Sequence, residues 1–251
     1  VDPAVVDDLR RLGVRPGQIL LVHSSYRALR PVAGGPSGLI ESLLEAIGPT
    51  GTLVMPSWTG DDDAPFDPRA TPAAADLGIV AETFWRRLGV TRSAHAQAFA
   101  AIGPRAAQIL ADPLPLPPAI PASPVGRVHE LDGFVALLGV GHDANTTIHL
   151  AEIMAGVPYS ITKQMTLHEG GRATPITYRE NDHCCERFAL VDPPLRARGL
   201  QREGQVGRAQ ARLIRSRDVV EVACSLIARD PLIFLHERDC EECTLARASI
   251  H

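Results

Sequence analysis

The chain is poor in aromatic residues, has no basic surplus and contains no long apolar run. Aromatic side chains supply only 4% of its 251 residues, so any core must be built mainly from aliphatic side chains and alanine. Its 25 Lys and Arg residues are outnumbered by 29 acidic ones, for a formal charge of −4. A nucleic-acid binder normally shows a basic face, so that class of partner is set aside, while room is left for an acidic pocket that takes a cation. No stretch reaches the roughly 18 to 20 apolar residues that span a bilayer. Val1 to Gly13 is charged and amphipathic, without the apolar centre of a signal peptide. The expectation is a cytoplasmic protein with no membrane partner. Five cysteines, an odd number, do not look like a disulfide framework.

What is present is an ordinary globular balance, 45% hydrophobic and 22% charged. The first half alternates helix and strand signals. Residues 3–12 and 35–47 read as helices stopped by Gly13 and Gly48-Pro49. QILLVH (18–23), TLVMP (52–56) and FVALLGV (134–140) are continuous apolar runs that read as buried strands. Residues 79–88 and 145–155 read as further helices. The polar stretch 58–71 and the proline-rich stretch 112–124 read as loops. Residues 165–178 alternate around Glu169-Gly170-Gly171, a hairpin signal. Residues 206–229 read as largely helical and PLIFLH (231–236) as a last short strand. No repeat or linker divides the chain. The expected fold is α/β: one layered α/β/α domain over residues 1–251, with a central mixed sheet and an added β-hairpin region.

The segment Gly139 to Glu152, GVGHDANTTIHLAE, carries the most chemical information. It contains a G-x-G-x-x-A, the form of a dinucleotide fingerprint. However, no acidic residue ends a second strand about 20 residues on, and a hairpin follows rather than another βαβ unit. A metal reading through His142 and His149 lacks zincin-type spacing. Acid–base chemistry fits better. With Asn145 capping the helix, His149 and Glu152 stand three residues apart on one face, so the carboxylate can sit beside the ring. The helix N-terminus disfavours imidazolium and Glu152 favours it, which would hold the ring near neutrality, as a general base for an amine requires. Thr147 could offer its hydroxyl or amide to an oxyanion.

Four stretches then carry a resemblance: Leu20 to Ser25 (LLVHSS), Gly51 to Trp58 (GTLVMPSW), Ser123-Pro-Val125, and Gly141 to Glu152 (GHDANTTIHLAE). Together they resemble the aminoglycoside 3-N-acetyltransferases, which are unrelated to the common GNAT fold. The resemblance runs from about Leu12 to Cys243. Asp112 to Pro118 and Glu180 to Phe188 are most similar to the class IV subgroup, which accepts apramycin as well as gentamicin-like and tobramycin-like drugs. The resemblance implies acetyl-CoA as cosubstrate, an aminoglycoside as acceptor, antibiotic resistance as outcome, and His149 as the base. It also raises Asp62, Asp63, Glu180 and Asp182 as drug-binding carboxylates. It places His23, Ser24, Ser25, Ser123 and Val125 along the pantetheine arm, and Arg27 and Arg30 are candidates for the phosphates.

Cys240-Glu-Glu-Cys243 is a C-x-x-C, and His183-Cys184-Cys185 a second soft-ligand cluster. Brought together, they could supply a structural zinc site, with Cys240 and Cys243 joined by His183 or Cys185. Neighbours on a strand point opposite ways, so the choice among His183, Cys184 and Cys185 stays open. Two rival functions also stay open at this stage. One is a serine-type acyl hydrolase using Ser24 or Ser25, although no G-x-S-x-G elbow is present. The other is a non-catalytic polycation-binding protein, which would leave His149 and Glu152 without a task.

Overall fold

The computed structural model describes residues 1–111, 113–169 and 171–250; Asp112 of the proline-rich stretch and Gly170 of the hairpin turn lie outside them. The central sheet holds β1 (Ile19–Ser24), β2 (Thr52–Pro56), β3 (Thr91–Arg92), β4 (Phe99–Ile102), β5 (Phe134–Leu138), β8 (Gln201–Val206) and β9 (Ala209–Arg215). Their order is β3-β4-β2-β1-β5-β9-β8. β1 runs parallel to both β2 and β5, and the outer pairings are antiparallel, so the sheet is mixed as expected. A separate two-stranded sheet is formed by β6 (Ile161–Glu169) and β7 (Arg172–Glu180).

The apolar runs form strands because both faces of the parallel centre are covered. Leu20, Val22, Leu53, Met55, Ala136 and Leu138 point to one side, where they meet Leu9, Leu39, Leu43 and Phe84. Ile19, Leu21, Val54, Val135 and Leu137 point to the other, onto Val125, Ile148, Val220 and Ala223. Each fully buried leucine or valine here is worth about 1.5–3 kcal/mol relative to exposure. The helices Pro3–Leu12, Gly35–Ile47 and Gly78–Trp85 thus cover one face. The helices Pro124–Glu130, Thr147–Ala155 and Ser216–Ile227 cover the other. Among the described residues, no helix is long and apolar enough to cross a membrane.

Three expectations need correction. Residues 206–229 are not one helix: β8 and β9 form an antiparallel hairpin, and only Ser216–Ile227 is helical in that span. Along β9, Ala209, Ala211 and Leu213 are buried on one face while Gln210 and Arg212 turn outward, a period of two that the charged residues obscure. Gly207 closes this hairpin at φ +58, where a Cβ would come within 2.5 Å of the Leu29 carbonyl oxygen. PLIFLH is not a strand but a run of turns, with Phe234 and Leu235 buried beneath it. The helix expected over 79–88 is Gly78–Trp85, after which the chain turns into β3.

Candidate active site

The site lies beyond the carboxyl ends of β1, β2 and β5, the usual position for ligand crevices in open α/β sheets. Asn145 starts the helix Thr147–Ala155 there. Its Oδ1 accepts from the Thr147 amide (3.2 Å), and its Nδ2 is 3.2 Å from His142 Nδ1. His142 is buried and bonds through Nε2 to Gln201 (2.9 Å), so it braces the turn and is not brought to His149 as a metal partner.

One turn into that helix, His149 Nδ1 lies 2.8 Å from Glu152 Oε2. Glu152 is completely buried, and its other oxygen lies 2.8 Å from His183 Nε2 and accepts the Tyr159 hydroxyl at 2.5 Å. Burial alone would raise its pKa, but the bonds from His149 and His183 prevail and hold the carboxyl at about 2. Burial would likewise depress His149, yet the neighbouring Cys185 sulfur and Glu152 carboxylate raise it well above its usual 6.5. That differs from the near-neutral ring expected, because the two neighbours outweigh burial. With Nδ1–H pinned to Glu152, the free lone pair is on Nε2.

His183, Cys184 and Cys185 are consecutive, yet each serves a different place. His183 reaches Glu152, Cys185 Sγ lies 3.3 Å from His149 Nε2, and Cys184 Sγ lies 3.6 Å from Cys243 Sγ. Cys185 has φ +60, an uncommon backbone for a side-chain-bearing residue, and its sulfur turns back to His149. The expectation that His183 or Cys185 joins Cys240 and Cys243 is therefore corrected: both are committed to the His149–Glu152 pair, and Cys184 goes to the thiols.

Two cavities meet at His149. The first, about 470 Å³, is walled by the β6–β7 hairpin and lined by Asp62, Asp76, Glu180 and Asp182, with Trp58 and Tyr178. The second, about 440 Å³, opens at the strand ends and is lined by His23, Ser24, Asn145, Thr146 and Cys185. Trp58, Asp76, Thr146, His149 and Asp182 border both. In the first, burial pushes up the carboxyls of Asp62 and Glu180. Gln97 donates to Asp62 (2.9 Å), and Lys163 pairs with Asp182. Arg92 fastens the polar loop that bears Asp62. Its guanidinium donates to the carbonyls of Ser57 and Thr71 (each 2.5 Å) and lies over the Phe66 and Trp85 rings.

The expected residues divide. Asp62, Glu180 and Asp182 line the acidic cavity, whereas Asp63 turns to the hairpin, accepting from Thr166 Oγ1 (2.9 Å) and, through its carbonyl, from His168 (2.8 Å). His23 and Ser24 line the second cavity; burial drops His23 to about 4, so its ring is a neutral partner for Thr146 Oγ1 at 3.4 Å. Ser25, Arg27 and Arg30 line neither cavity, and the two arginines are exposed. Ser123 is buried and caps the helix Pro124–Glu130 by accepting the Gly126 amide (3.2 Å). Val125 borders the acidic cavity rather than the second one. Thr147 is also corrected: its amide is spent on Asn145 and its hydroxyl is buried without a partner among the described residues, so Thr146 is the threonine facing the base. Sequence reasoning missed Asp76, Tyr159 and Lys163. Lys163 did carry a signal, being the only lysine in the sequence.

A histidine oriented by a buried carboxylate thus stands where two cavities meet, one of them rich in carboxylates. Residues 21–228 match the aminoglycoside 3-N-acetyltransferase family, and the chain belongs to that family. It is 62% identical over 232 residues to aminoglycoside N(3)-acetyltransferase IV from a Salmonella species, covering 92% of this chain and 89% of that one. Identity with the type III enzyme from Acinetobacter baumannii is 32%, over 95% and 97% of the two chains. The crystal structure of the AAC(3)-IVa apoenzyme superposes with a TM-score of 0.96 at 61% identity, covering 98% of this chain and 96% of that one. A histidine-to-alanine mutant of that enzyme in complex with a gentamicin fits equally well, with the same coverage.

Proposed function

We propose that this enzyme transfers acetyl from acetyl-CoA to the 3-amino group of the deoxystreptamine ring of aminoglycosides, with His149 as general base. The observation that carries the reading is the Glu152–His149 pair at the junction of the two cavities. The acidic cavity suits a polycation: Asp62, Glu180 and Asp182 offer carboxylates to ammonium groups, and Trp58 and Tyr178 offer faces to a sugar ring. The second cavity, where His23, Ser24 and Thr146 lie, suits the thioester end of acetyl-CoA. Gentamicin and apramycin, seen bound to relatives, are the natural first acceptors to assay, and the consequence for a bacterium is drug resistance.

In the proposed reaction the 3-amine displaces the Cys185 thiol from His149 Nε2 and attacks the thioester carbonyl. Nε2 takes the amine proton, and the resulting imidazolium stays paired with Glu152. The tetrahedral oxyanion faces Thr146 and nearby amides. Collapse expels CoA thiolate, which takes the proton back from His149, leaving an amide and a free thiol. Neither Ser24 nor Ser25 bonds to His149, which disfavours the serine hydrolase. The orientation of His149 by Glu152 disfavours a mere binder.

Cys185 supports a second route to the same product. A thiol beside a carboxylate-oriented histidine could first accept the acetyl group as a thioester, with CoA leaving before the amine attacks. Initial-rate kinetics separate the two: lines that converge in double-reciprocal plots mark direct transfer in a ternary complex, and parallel lines with CoA released before drug addition mark the thioester. Thiol release that requires both acetyl-CoA and aminoglycoside, with the acetyl located on the 3-amine by NMR, tests the main reading. Release without amine would establish hydrolysis, and no release would establish a binder.

A further inference from the structure

We propose that Cys184, Cys240, Cys243 and His236 form a structural zinc site, separate from the acetyl-transfer centre. The sulfurs of Cys184, Cys240 and Cys243 all lie within 4.8 Å of one another, although they come from distant parts of the chain. Cys184 and Cys243 are 3.6 Å apart. A disulfide would need about 2.05 Å, whereas two thiolates on a tetrahedral zinc with bonds of about 2.3 Å stand roughly 3.7–3.8 Å apart. The spacing found is that of co-ligands. A disulfide between any two of the three would also strand the third thiol.

The fourth position falls to His236, which clusters with Cys184 and Glu186 and would have to close on Cys240 and Cys243 when metal binds. A ring nitrogen of His236 lies within 4.8 Å of the Cys184 sulfur. His236 Nε2 is buried, and although a Glu186 oxygen is 3.3 Å away, the two make no hydrogen bond. The segment that carries the ring is held in place: the Arg247 guanidinium donates to the carbonyls of Leu235 (3.0 Å) and His236 (2.8 Å). In sequence the set reads Cys184, then H-x-x-x-C-x-x-C over residues 236–243. Cys240 precedes the first turn of the helix Glu241–Ala248 and Cys243 lies within it, where the helix N-terminus favours thiolate. Three cysteines joined by this histidine would make a closed tetrahedral set without an open position, the structural class of zinc site.

Its effect would be positional. Cys243 packs with Tyr159 and Leu235 in one buried cluster, against which Cys184 and Cys240 lie. Tyr159 in turn bonds Glu152, and Cys184 sits between the residues that hold Glu152 and His149. Zinc at this point would join the Glu241–Ala248 helix to the strap that supports His149, behind the wall of the second cavity to which Cys184 contributes.

The test begins with full-length protein expressed with zinc and purified under reducing conditions without chelator. Elemental analysis should give about one zinc per chain, and absorption at the zinc edge should show three sulfurs near 2.3 Å and one nitrogen near 2.0 Å. Cobalt exchanged into the wild-type protein should give the intense visible bands of a tetrahedral thiolate site, a readout that needs no variant to fold. Cys184→Ser and Cys243→Ser should lose the metal. Cys224→Ser should keep it, because that thiol instead bonds the Ala151 carbonyl. Reduced protein that carries no zinc and takes up neither zinc nor cobalt would overturn the proposal, as would a native disulfide within the cluster. An unchanged cobalt spectrum in His236→Asn would overturn the assignment of the fourth ligand.

Discussion

The two cavities that meet at His149 are similar in size, share Asp76 and Asp182 at their common border, and differ in the rest of their lining. One presents Asp62, Glu180 and Asp182, and burial makes the first two harder to ionise. The other adds Asp143, hydroxyls and a histidine that burial keeps neutral to the two aspartates it shares with the first. The carboxylates proposed to hold the drug stand on irregular loops and the hairpin, whereas His149, the proposed base, stands on a helix packed against the central sheet. Binding and catalysis should accordingly separate under mutation.

The largest effect expected is at the junction itself. His149→Ala should lower kcat by about a hundredfold or more, the range for removing a general base, while calorimetry still detects drug binding. Near-normal turnover would remove His149 from the mechanism. Glu152→Gln should come next. Breaking a buried ion pair costs about 3–5 kcal/mol, so the thermal midpoint should drop sharply. Because Glu152 is depressed to about 2, its stabilisation is complete above its usual 4.5 and is lost as pH falls through 2. The gap between wild type and variant should thus close only in strong acid. Activity runs the other way with His149: the ring must be neutral, its pKa is raised, and turnover should climb as pH rises through that value. Glu152→Gln should move this limb to lower pH, and a limb that stays put would show that Glu152 does not tune the base.

Smaller effects should be confined to the acidic side. Asp182→Asn and Asp62→Asn should each raise KM for the drug by about tenfold, the loss of one charge-assisted hydrogen bond. KM for acetyl-CoA should hardly move. Drug affinity indifferent to both substitutions and to added salt would reduce these carboxylates to solvated surface. Lys163→Met should act least and in the opposite sense. It frees Asp182 from its internal partner, so KM for the drug should fall by about two- to fivefold. A rise instead would mean that the ammonium itself holds the drug.

The legible parts of this molecule were those governed by local spacing. Apolar runs marked β1, β2 and β5, and three residues on a helix set His149 beside Glu152. What escaped was long-range or shifted by one residue. Nothing local places His183 and Tyr159 on Glu152, since both partners arrive from outside its helix. Thr147 and Thr146 exchange parts because an Asn145 side chain captures the Thr147 amide. Cys184 and Cys185 differ only in direction, and the left-handed backbone at Cys185 decides it. β8 and β9 were hidden because arginine, glutamine and glutamate on their open face resemble the polar side of a helix.

Lys163 leaves one further consequence. Every other Lys or Arg position of the sequence is an arginine, so amine-directed reagents find one lysine side chain in it, and that side chain stands inside the acidic cavity. A fluorophore attached there would report occupancy directly, and a bound aminoglycoside should shield it. Digestion with a lysine-specific protease, coupled to mass spectrometry, would then read drug occupancy at one cleavage point.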